Sequence, residues 1–408
     1  MLRSVQVAFG ALQNRAFMLL WLGSLCSFIA FFTSNVVQQV VAFELTGENT
    51  SVGLVVFGRG LAQLVLGPVG GALADRISKR TILIVCQSVT AVVFFALALL
   101  MWSGWMEVIH LVVGGFLVGV TFAFLGPSRS AYVVDIVEPE RQGNAVALNQ
   151  VALNVSRVLG PALAGVLLAW HLSGATGAFI VMGALYVAAL SLQSGLPPTG
   201  NGEAPARGIL ADVFDGFRYV GRNPRLRTLI VMFMLLVMLG FPYVTVLPGF
   251  VENHLGHPAK SVSVLFGATA AGGLVASLWM TAVADSPRVL LYYCAGAFTF
   301  GLSLFGVWLA QDLVQASAAM VVVGLTAGCF TTLHGAVVLK YTDPAYMGRV
   351  MSLGMFAFGA FGLIAVPVGM AADRWGEASV IAFHGLLVSA IALVFGLLLS
   401  RTSEPEPS

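Results

Sequence analysis

The polar side chains that interrupt long apolar stretches are the residues of this chain whose types and positions could do chemistry. Arg59 is the clearest case, because it follows Thr50 by nine residues, about 14 Å along a helix that rises about 1.5 Å per residue. A charge at that depth in hydrocarbon is costly, so it tends to be paired and to serve a function. We expect Arg59 and Gln38 to line a central cavity, with Glu44 as a candidate charge partner near its outer mouth. A purely structural pair between Arg59 and Glu44 is the alternative.

Other polar residues of the apolar stretches extend this expected cavity. Arg157 either pairs with an acid or points at an anionic ligand. Arg129 and Asp135 are six residues apart, so they do not share a helical face and should meet different partners. Gln38 and Tyr243 fit a packing role equally well. The predicted cavity residues are Asn35, Gln38, Arg59, Gln63, Arg157 and Tyr243.

The elements that must position these residues are apolar stretches long enough to cross a membrane. The chain is 58% hydrophobic and 9% charged, whereas soluble globular domains carry about 25% charged residues. A spanning helix needs about 20 apolar residues, and polar breaks divide the chain into twelve such stretches. We therefore predict an all-α membrane protein with twelve transmembrane helices. They lie near 16–44, 51–74, 81–102, 108–136, 143–170, 175–194, 227–252, 261–284, 288–310, 314–341, 346–372 and 377–400.

An internal repeat predicts that these helices form two pseudo-symmetric six-helix bundles. Pro139 and Gly143 align with Pro344 and Gly348 at one constant shift along the chain. Duplicated halves of this kind are common among transporters, whereas a static channel or a receptor has no need of them. The predicted domains are an amino-terminal bundle at 1–194, a cytoplasmic connector at 195–226, and a carboxy-terminal bundle with a short tail at 227–408.

Basic residues predict the orientation, because Lys and Arg collect in cytoplasmic loops. With both termini in the cytoplasm, the even-numbered connections hold most of them, and the outward connections hold little beyond Lys260 and Arg374. We expect a multi-pass protein of the cell (inner) membrane. Arginine greatly outnumbers lysine, a bias that is common in GC-rich genomes and favours a prokaryotic source.

Several other classes of protein lack their signatures in this chain. It has no G-x-S-x-G, H-E-x-x-H or P-loop pattern, so we expect no enzyme, no cofactor and no direct use of ATP. The four cysteines lack metal-ligand spacing, so we expect no metal site. A net charge of +2 without basic blocks argues against a nucleic-acid partner.

The loop between the second and third stretches carries the run GGALADRISKR at 70–80. It resembles the signature loop of the major facilitator superfamily, in which an acid at a helix end precedes basic residues. Asp75 can accept hydrogen bonds at a neighbouring helix start and so lock helix ends together in one conformation. The alternative is that the basic residues only supply positive charge on the cytoplasmic side. The predicted latch comprises Gly71, Asp75, Arg76, Arg80 and Asp135, and the resemblance implies that Asp135 lies near Arg76 or Arg80.

The run NVSRVLGPALAG in the fifth stretch resembles the fifth-helix motif of major facilitator antiporters. A serine, Ser156, stands where that motif has a glycine. Two interpretations stay open: a role in exchange, which would imply export, and close helix packing alone. The motif residues are Ser156, Gly160, Pro161 and Gly165.

Two longer runs, at 127–165 and 347–376, are similar to the transmembrane secretion effector and enterobactin exporter branch of the superfamily. The resemblance covers essentially the whole chain. It implies a secondary active transporter that exports a small organic compound, such as a drug or siderophore, by alternating access and proton-coupled antiport. A proton-coupled uptake symporter and a lysophospholipid flippase of the same fold are the alternatives. The expected partners are the small-molecule substrate, the proton and the lipid bilayer, and the expected working unit is a monomer.

Proton coupling requires a side chain that titrates during transport, and no acid lies plainly in the middle of an apolar stretch. This counts against the antiporter interpretation. The candidates for coupling are Glu44, Asp135 and His334. His384 is expected to be a hydrogen-bonded core residue, as a lone histidine on an apolar helix usually is.

We predict that Asp75→Asn slows turnover while sparing substrate binding, because the neutral amide weakens the latch without touching the cavity. Initial rates of transport in proteoliposomes and equilibrium binding by the purified protein separate the two effects. Unchanged turnover would remove the latch role.

Overall fold

The structure is a computed structural model, and it describes residues 10–170, 174–198, 209–343 and 346–401. The side chains of 68–76, 209–214, 348, 352 and 355 lie outside this description. Three residues of the predicted latch, Gly71, Asp75 and Arg76, therefore fall outside the described residues.

Every regular element of the described residues is a helix. The longer helices are α1 (Arg15–Thr46), α2 (Asn49–Arg76), α3 (Lys79–Trp102), α4 (Val108–Ile136), α5 (Pro139–Ala169), α6 (Gly174–Ser194), α7 (Ile209–Arg222), α8 (Pro224–Gly240), α9 (Tyr243–Gly249), α10 (Val262–Val283), α11 (Val289–Trp308), α12 (Leu313–Tyr341), α13 (Met347–Trp375) and α14 (Glu377–Arg401). Helices α8 and α9 continue into a π turn and together form one span, Pro224–His254. Twelve stretches of the described chain are long and apolar enough to cross a membrane, which confirms the predicted fold class.

Local sequence sets where several helices begin and end. The side chain of Asn14 accepts hydrogen bonds from the backbone N–H groups of Ala16 (2.9 Å) and Phe17 (3.2 Å), which satisfies free donors at the start of α1. Gly47 ends α1 with a φ of +72°, a left-handed conformation that favours glycine. Helix α5 begins at Pro139, ahead of the predicted start near 143, because proline suits the first turn of a helix.

The even number of spans places both ends of the described chain on one face of the bundle. Each crossing reverses the chain direction, so the start of α1 at Arg15 and the end of α14 at Arg401 lie on the same side. We call this side the terminal face. The opposite side, which carries the turn between Thr46 and Asn49, is the far face.

The predicted connector contains one helix that the sequence analysis did not predict. Helix α7 is too polar to span and lies beside the terminal-face end of α13. The guanidinium of Arg349 lies 3.7 Å from the carboxylate of Asp215, and the rings of Tyr219 and Tyr346 stack with centroids 4.2 Å apart. The connector is therefore attached to the second group of spans rather than hanging free.

The spans before and after α7 form two groups. In the first group α1 packs on α5 and α6, and α2 packs on α4; in the second, α11 packs on α12 and α14, and α10 packs on α12. Two larger contacts join the groups, α2 along α13 and α5 against α10. This grouping agrees with two bundles, while the exact bounds of the predicted domains stay a prediction.

Small residues let α2 and α13 approach until their backbones touch. A Cβ atom on Gly60 would lie 2.7 Å from the Cα atom of Gly362, and one on Gly53 would lie 2.6 Å from the carbonyl oxygen of Ala365. Membrane helices associate largely through such close packing, because lipid gives no hydrophobic drive for helices to meet. The α2–α13 contact is thus the main seam between the two groups.

A glycine contact within the second group gives a stability prediction. A Cβ atom on Gly301 of α11 would lie 2.5 Å from the carbonyl oxygen of Gly385 on α14, whereas one on Gly306 meets nothing nearer than Ala319 at 4.0 Å. We expect Gly301→Val to cost about 1–3 kcal/mol of stability through overpacking and so to lower the melting temperature of the purified protein. Gly306→Val is the matched control for helix propensity, and equal melting temperatures for the two variants would contradict the prediction.

Candidate functional site

Arg59 and Gln38 are in direct contact in the first group of spans. The guanidinium of Arg59 donates to Gln38 Oε1 at 2.8 Å and to Ser34 Oγ at 3.4 Å. Gln38 is fully buried, and the Nε atom of Arg59 is buried without a hydrogen-bond partner. Glu44 is exposed and forms no ion pair with Arg59 in the described part of the chain, so the structural Arg59–Glu44 pair is wrong. The packing of α2, which carries Arg59, against α1, which carries Gln38, brings the amide and the guanidinium together.

Three arginines of the first group each lie over a phenylalanine of α1. The guanidinium carbon is 4.5 Å from the ring centroid for Arg129 over Phe28, 5.4 Å for Arg59 over Phe31, and 5.9 Å for Arg157 over Phe32. Arg129 also donates to Ser27 Oγ at 2.5 Å. This row of rings was not predicted from the sequence. Its signal is the spacing of Phe28, Phe31 and Phe32, which places all three on one face of a helix.

Arg129 and Arg157 differ in burial and in their partners. Arg129 is buried and, as expected from the spacing, meets a different partner from Asp135. Arg157 pairs with no acid among the described residues, and its side chain is exposed. Of the two alternatives for Arg157, pairing with an acid is therefore wrong.

The exposed side chain of Arg157 belongs to a polar face of α5. Gln150 donates to Asn154 at 3.3 Å one turn before it. Asn154 precedes Gly165 by eleven residues, which is about 20° around the helix axis at 100° per residue. A Cβ atom on Gly165 would lie 2.6 Å from Ser263 Oγ, so this face of α5 is the one that meets α10. Towards the terminal face this side of α5 is polar, and Gln150 and Arg157 are exposed.

The fifth-helix motif makes two packing contacts. Gly160 abuts α1, where a Cβ atom would lie 2.9 Å from the backbone nitrogen of Thr33, and Thr33 Oγ1 donates to the Gly160 carbonyl at 3.1 Å. Gly165 meets α10 in the other group. Ser156 donates to the Ala152 carbonyl at 2.7 Å, and α5 continues through Pro161 without ending. These contacts favour the packing interpretation, and a coupling role stays a prediction.

The remaining predicted cavity residues divide between surface and core. Asn35 and Gln63 are half-buried on α1 and α2. Tyr243 is buried, with its ring centroid 6.5 Å from that of Phe300, inside the second group. The position of Tyr243 therefore favours the packing role, which the sequence allowed as the alternative to lining a cavity.

Among the described side chains, the terminal-face end of the first group holds one close ion pair. Lys79 Nζ lies 2.6 Å from Asp135 Oδ2, while Arg80 donates to the Ser194 carbonyl at 2.5 Å. Asp135 therefore pairs with Lys79 rather than with Arg80, and the side chain of Arg76, the other expected partner, lies outside the described residues. The reason is the helix period: Lys79 begins α3 beside the end of α4, and the next residue points about 100° away, towards α6.

His334 lies in an aromatic core rather than beside an acid. Its ring stacks on Phe233 with centroids 3.7 Å apart and lies 5.8 Å from the ring of Tyr293. The Nδ1 atom is buried without a hydrogen-bond partner. His384, in contrast, has its Nδ1 atom against the Leu239 carbonyl, the hydrogen-bonded core position that the sequence predicted.

A hydrogen-bonded contact at the far face joins the two groups. Asp373, near the end of α13, accepts from the backbone N–H groups of Asn49 (2.7 Å) and Thr50 (2.9 Å) and from Thr50 Oγ1 (2.5 Å). Glu377 Oε1 accepts from the side-chain amides of Asn49 (2.8 Å) and Asn253 (2.7 Å). One carboxylate therefore caps the start of α2, where free N–H groups and the helix dipole favour negative charge. We call Asn49, Thr50, Asn253, Asp373 and Glu377 the far-face gate.

Known proteins are similar to this chain in sequence over most of its length. A profile described as Major Facilitator Superfamily matches residues 20–367. The staphyloferrin A transporter of Staphylococcus aureus (strain NCTC 8325 / PS 47) is 24% identical, over 86% of this chain and 89% of its own length. Macrolide efflux protein A of Streptococcus pyogenes is 23% identical, over 93% and 94%. Enterobactin exporter EntS of Escherichia coli O1:K1 / APEC is 25% identical, over 96% and 94%.

Solved structures share the fold at low sequence identity. A bacterial homologue of the human lysosomal transporter Spinster, inward-facing and unoccupied, has a TM-score of 0.73 at 16% identity and covers 95% of this chain and 96% of its own. A POT family transporter in complex with 5-aminolevulinic acid has a TM-score of 0.75 at 12% identity and covers 95% and 97%. At these identities the likeness shows the fold alone.

The far-face gate gives a prediction about which side of the protein opens. Asp373→Asn removes the negative charge at the start of α2, which weakens the contact by about 1–2 kcal/mol, and the far face should open more often. Ser51 is only 6% exposed beside the gate, so the rate at which a cysteine introduced there reacts with a membrane-impermeant maleimide, in a background where the native cysteines are replaced, measures this opening.

The control is Asp312→Asn. Asp312 caps its own helix, α12, by accepting from Gln315 at 2.8 Å, and it lies on the same face without bonding to the first group. An equal rise in reaction rate for both variants would show that the effect does not come from the gate.

Proposed function

Because the chain belongs to the Major Facilitator Superfamily, we propose that this protein exports a small organic compound by alternating access, with protons as the coupling ion. The observation that carries the proposal is the far-face gate. Its hydrogen bonds join α2 of one group to α13 of the other, and they must break for a path to open on that side. A polar contact that joins two bundles at one end, and that can break there, is a structural requirement of a carrier that opens to each side in turn.

The proposed orientation puts the terminal face in the cytoplasm of the inner membrane. Most loops on that face are basic, as the positive-inside rule requires, and α7 adds Arg218 and Arg222 there. The far face is then the outer side. In this orientation the gate is closed to the outside, and the exposed polar side of α5 is open to compounds that arrive from the cytoplasm.

The direction of transport is supported by the names of the relatives. Two of the three named above are an efflux protein and an exporter, and the third is described only as a transporter. Uptake by symport and lipid flipping remain the rival functions of the same fold. Transport leaves the compound chemically unchanged, so no catalytic group is proposed, and the proposed working unit is a monomer in the bilayer.

The coupling group is proposed from the contacts of the three candidates. Protonation of Asp135 would remove the charge that holds Lys79, and the ends of α3 and α4 would then separate more easily. His334 has a buried ring nitrogen with no partner, which could take up a proton only when the surrounding rings move apart. Glu44 is exposed near the far face and could take up a proton only outside the membrane core. We rank Asp135 first, because its ion pair with Lys79 joins the ends of two helices, α4 and α3, at the terminal face.

Everted membrane vesicles test the export proposal. We expect vesicles that contain the protein, energised by respiration, to accumulate at least one of labelled erythromycin, enterobactin, staphyloferrin A and a lysophospholipid, and an uncoupler to abolish the accumulation. Asp135→Asn should lower the accumulation several-fold. The matched control is Glu138→Gln, another acid of the terminal face, which lies 3.7 Å from Arg141 on an exposed turn and should leave accumulation unchanged.

Two results would contradict the proposal. Uptake into energised whole cells, with none into everted vesicles, would indicate a symporter. Accumulation that persists with an uncoupler would remove the proton as coupling ion.

A further inference from the structure

The charges in the middle of the first group are unbalanced. Among the described residues, Arg59, Arg129 and Arg157 form no ion pair with any carboxylate. The acids of the spans all lie near helix ends, at Glu44, Asp75, Asp135, Glu140, Glu252, Asp373 and Glu377. Bringing a positive charge into hydrocarbon without a counter-charge is costly, and such charges often mark the path or the counter-ion of a ligand. On the basis of the proposed transport function, we propose that the substrate is an organic anion with an apolar or aromatic body.

The three arginines differ in how far a ligand can reach them. Arg157 is exposed on the polar face of α5 and has no hydrogen bond among the described residues. Arg59 is half-buried; one of its nitrogens is bound to Gln38 and Ser34, and its Nε atom has no partner. Arg129 is only 2% exposed, so it contributes charge without direct contact. Arg157 and Arg59 are therefore the residues that bind the anion, and Arg129 strengthens the positive field behind them.

The phenylalanines of α1 hold the guanidinium groups in position to bind an anion. A guanidinium that lies over a ring face keeps its N–H groups at the edge free to donate, and the ring restricts its motion. Arginine can then bind a carboxylate, sulfonate or phenolate through two N–H groups at once. A lysine in the same place would offer a point charge without this geometry.

The second group supplies the apolar side of the proposed site. All of its Lys and Arg residues lie at or near helix ends, so the middle of its spans carries no permanent positive charge. Its core is aromatic: the ring of Phe358 lies 5.9 Å from Phe241 and 6.0 Å from Phe233. Phe241 and Phe358 are the half-buried members of this cluster and can accept an apolar body. A cation would be repelled from the first group, and a neutral compound would leave its charges unbalanced.

Binding by the purified full-length chain in lipid nanodiscs tests the proposal with four probes of one shape. These are 2-naphthoate, 2-naphthalenesulfonate, 2-naphthamide and (2-naphthyl)trimethylammonium. We expect the two anions to bind at least about tenfold more tightly than the amide, as a charge-assisted hydrogen bond predicts, and the cation to bind most weakly. Arg157→Gln and Arg59→Gln should each weaken anion binding about tenfold and leave amide binding unchanged.

Two controls separate charge from shape and from folding. Arg157→Lys keeps the charge and should recover part of the affinity. Arg288→Gln removes an exposed arginine in the loop before α11 and should bind both anions like the unaltered protein. Melting temperatures show whether each variant folds, so a loss of binding in a folded Arg157→Gln variant reports on the site itself.

The outcomes separate this proposal from the export proposal. Equal affinity for anions and amide, tighter binding of the cation, or no binding of either anion would overturn the anion site. Anion binding without accumulation of any compound in everted vesicles would overturn export and leave the ligand class standing. Accumulation of erythromycin, whose tertiary amine is protonated near neutral pH, that is insensitive to Arg157→Gln would support export and contradict the anion site.

Discussion

The cost of placing an unsatisfied polar group in hydrocarbon governs this structure from its fold to its proposed site. It requires that every span be a helix, because only then are the backbone groups bonded within the segment. It also drives acids to the helix ends, where Asp373 and Glu377 bind free N–H and amide groups across the far face. The same cost makes three arginines without counter-charges a feature that needs an explanation, and a bound anion supplies one.

Helix α2 connects most of the features that matter for transport. It carries Arg59, packs on α4 through Gly119, touches α13 through Gly60, and receives the carboxylate of Asp373 at its start. The seam between the two groups and the charged interior are therefore parts of one helix. A carrier that alternates between two open states needs such an element, because contacts at its ends have to influence what happens in its middle.

Composition and loop charge predicted the architecture well, because hydrophobic length is a local property of the sequence. The twelve spans, the internal repeat and the choice of Arg59 and Gln38 as polar residues of interest all came from the chain itself, whereas their direct hydrogen bond did not. What the sequence could not give were partners across helices. Lys79 rather than Arg80 meets Asp135, since one residue of rotation decides which neighbour a side chain faces. The far-face gate was missed for the same reason: Asp373 and Asn49 are distant in sequence, and only the pairing of α2 with α13 brings them together. Tyr243 was ambiguous because an aromatic residue at a helix start suits either a lining or a packed position.

The turn between α1 and α2 is short: only Gly47 and Glu48 separate the two helices. A hairpin this tight cannot absorb much displacement, so a shift of Asn49 away from Asp373 has to be transmitted to the end of α1. The phenylalanines that hold the guanidinium groups lie farther down that same helix. Movement at the far-face gate and the positions of the rings beneath the arginines are therefore linked through a turn of two residues.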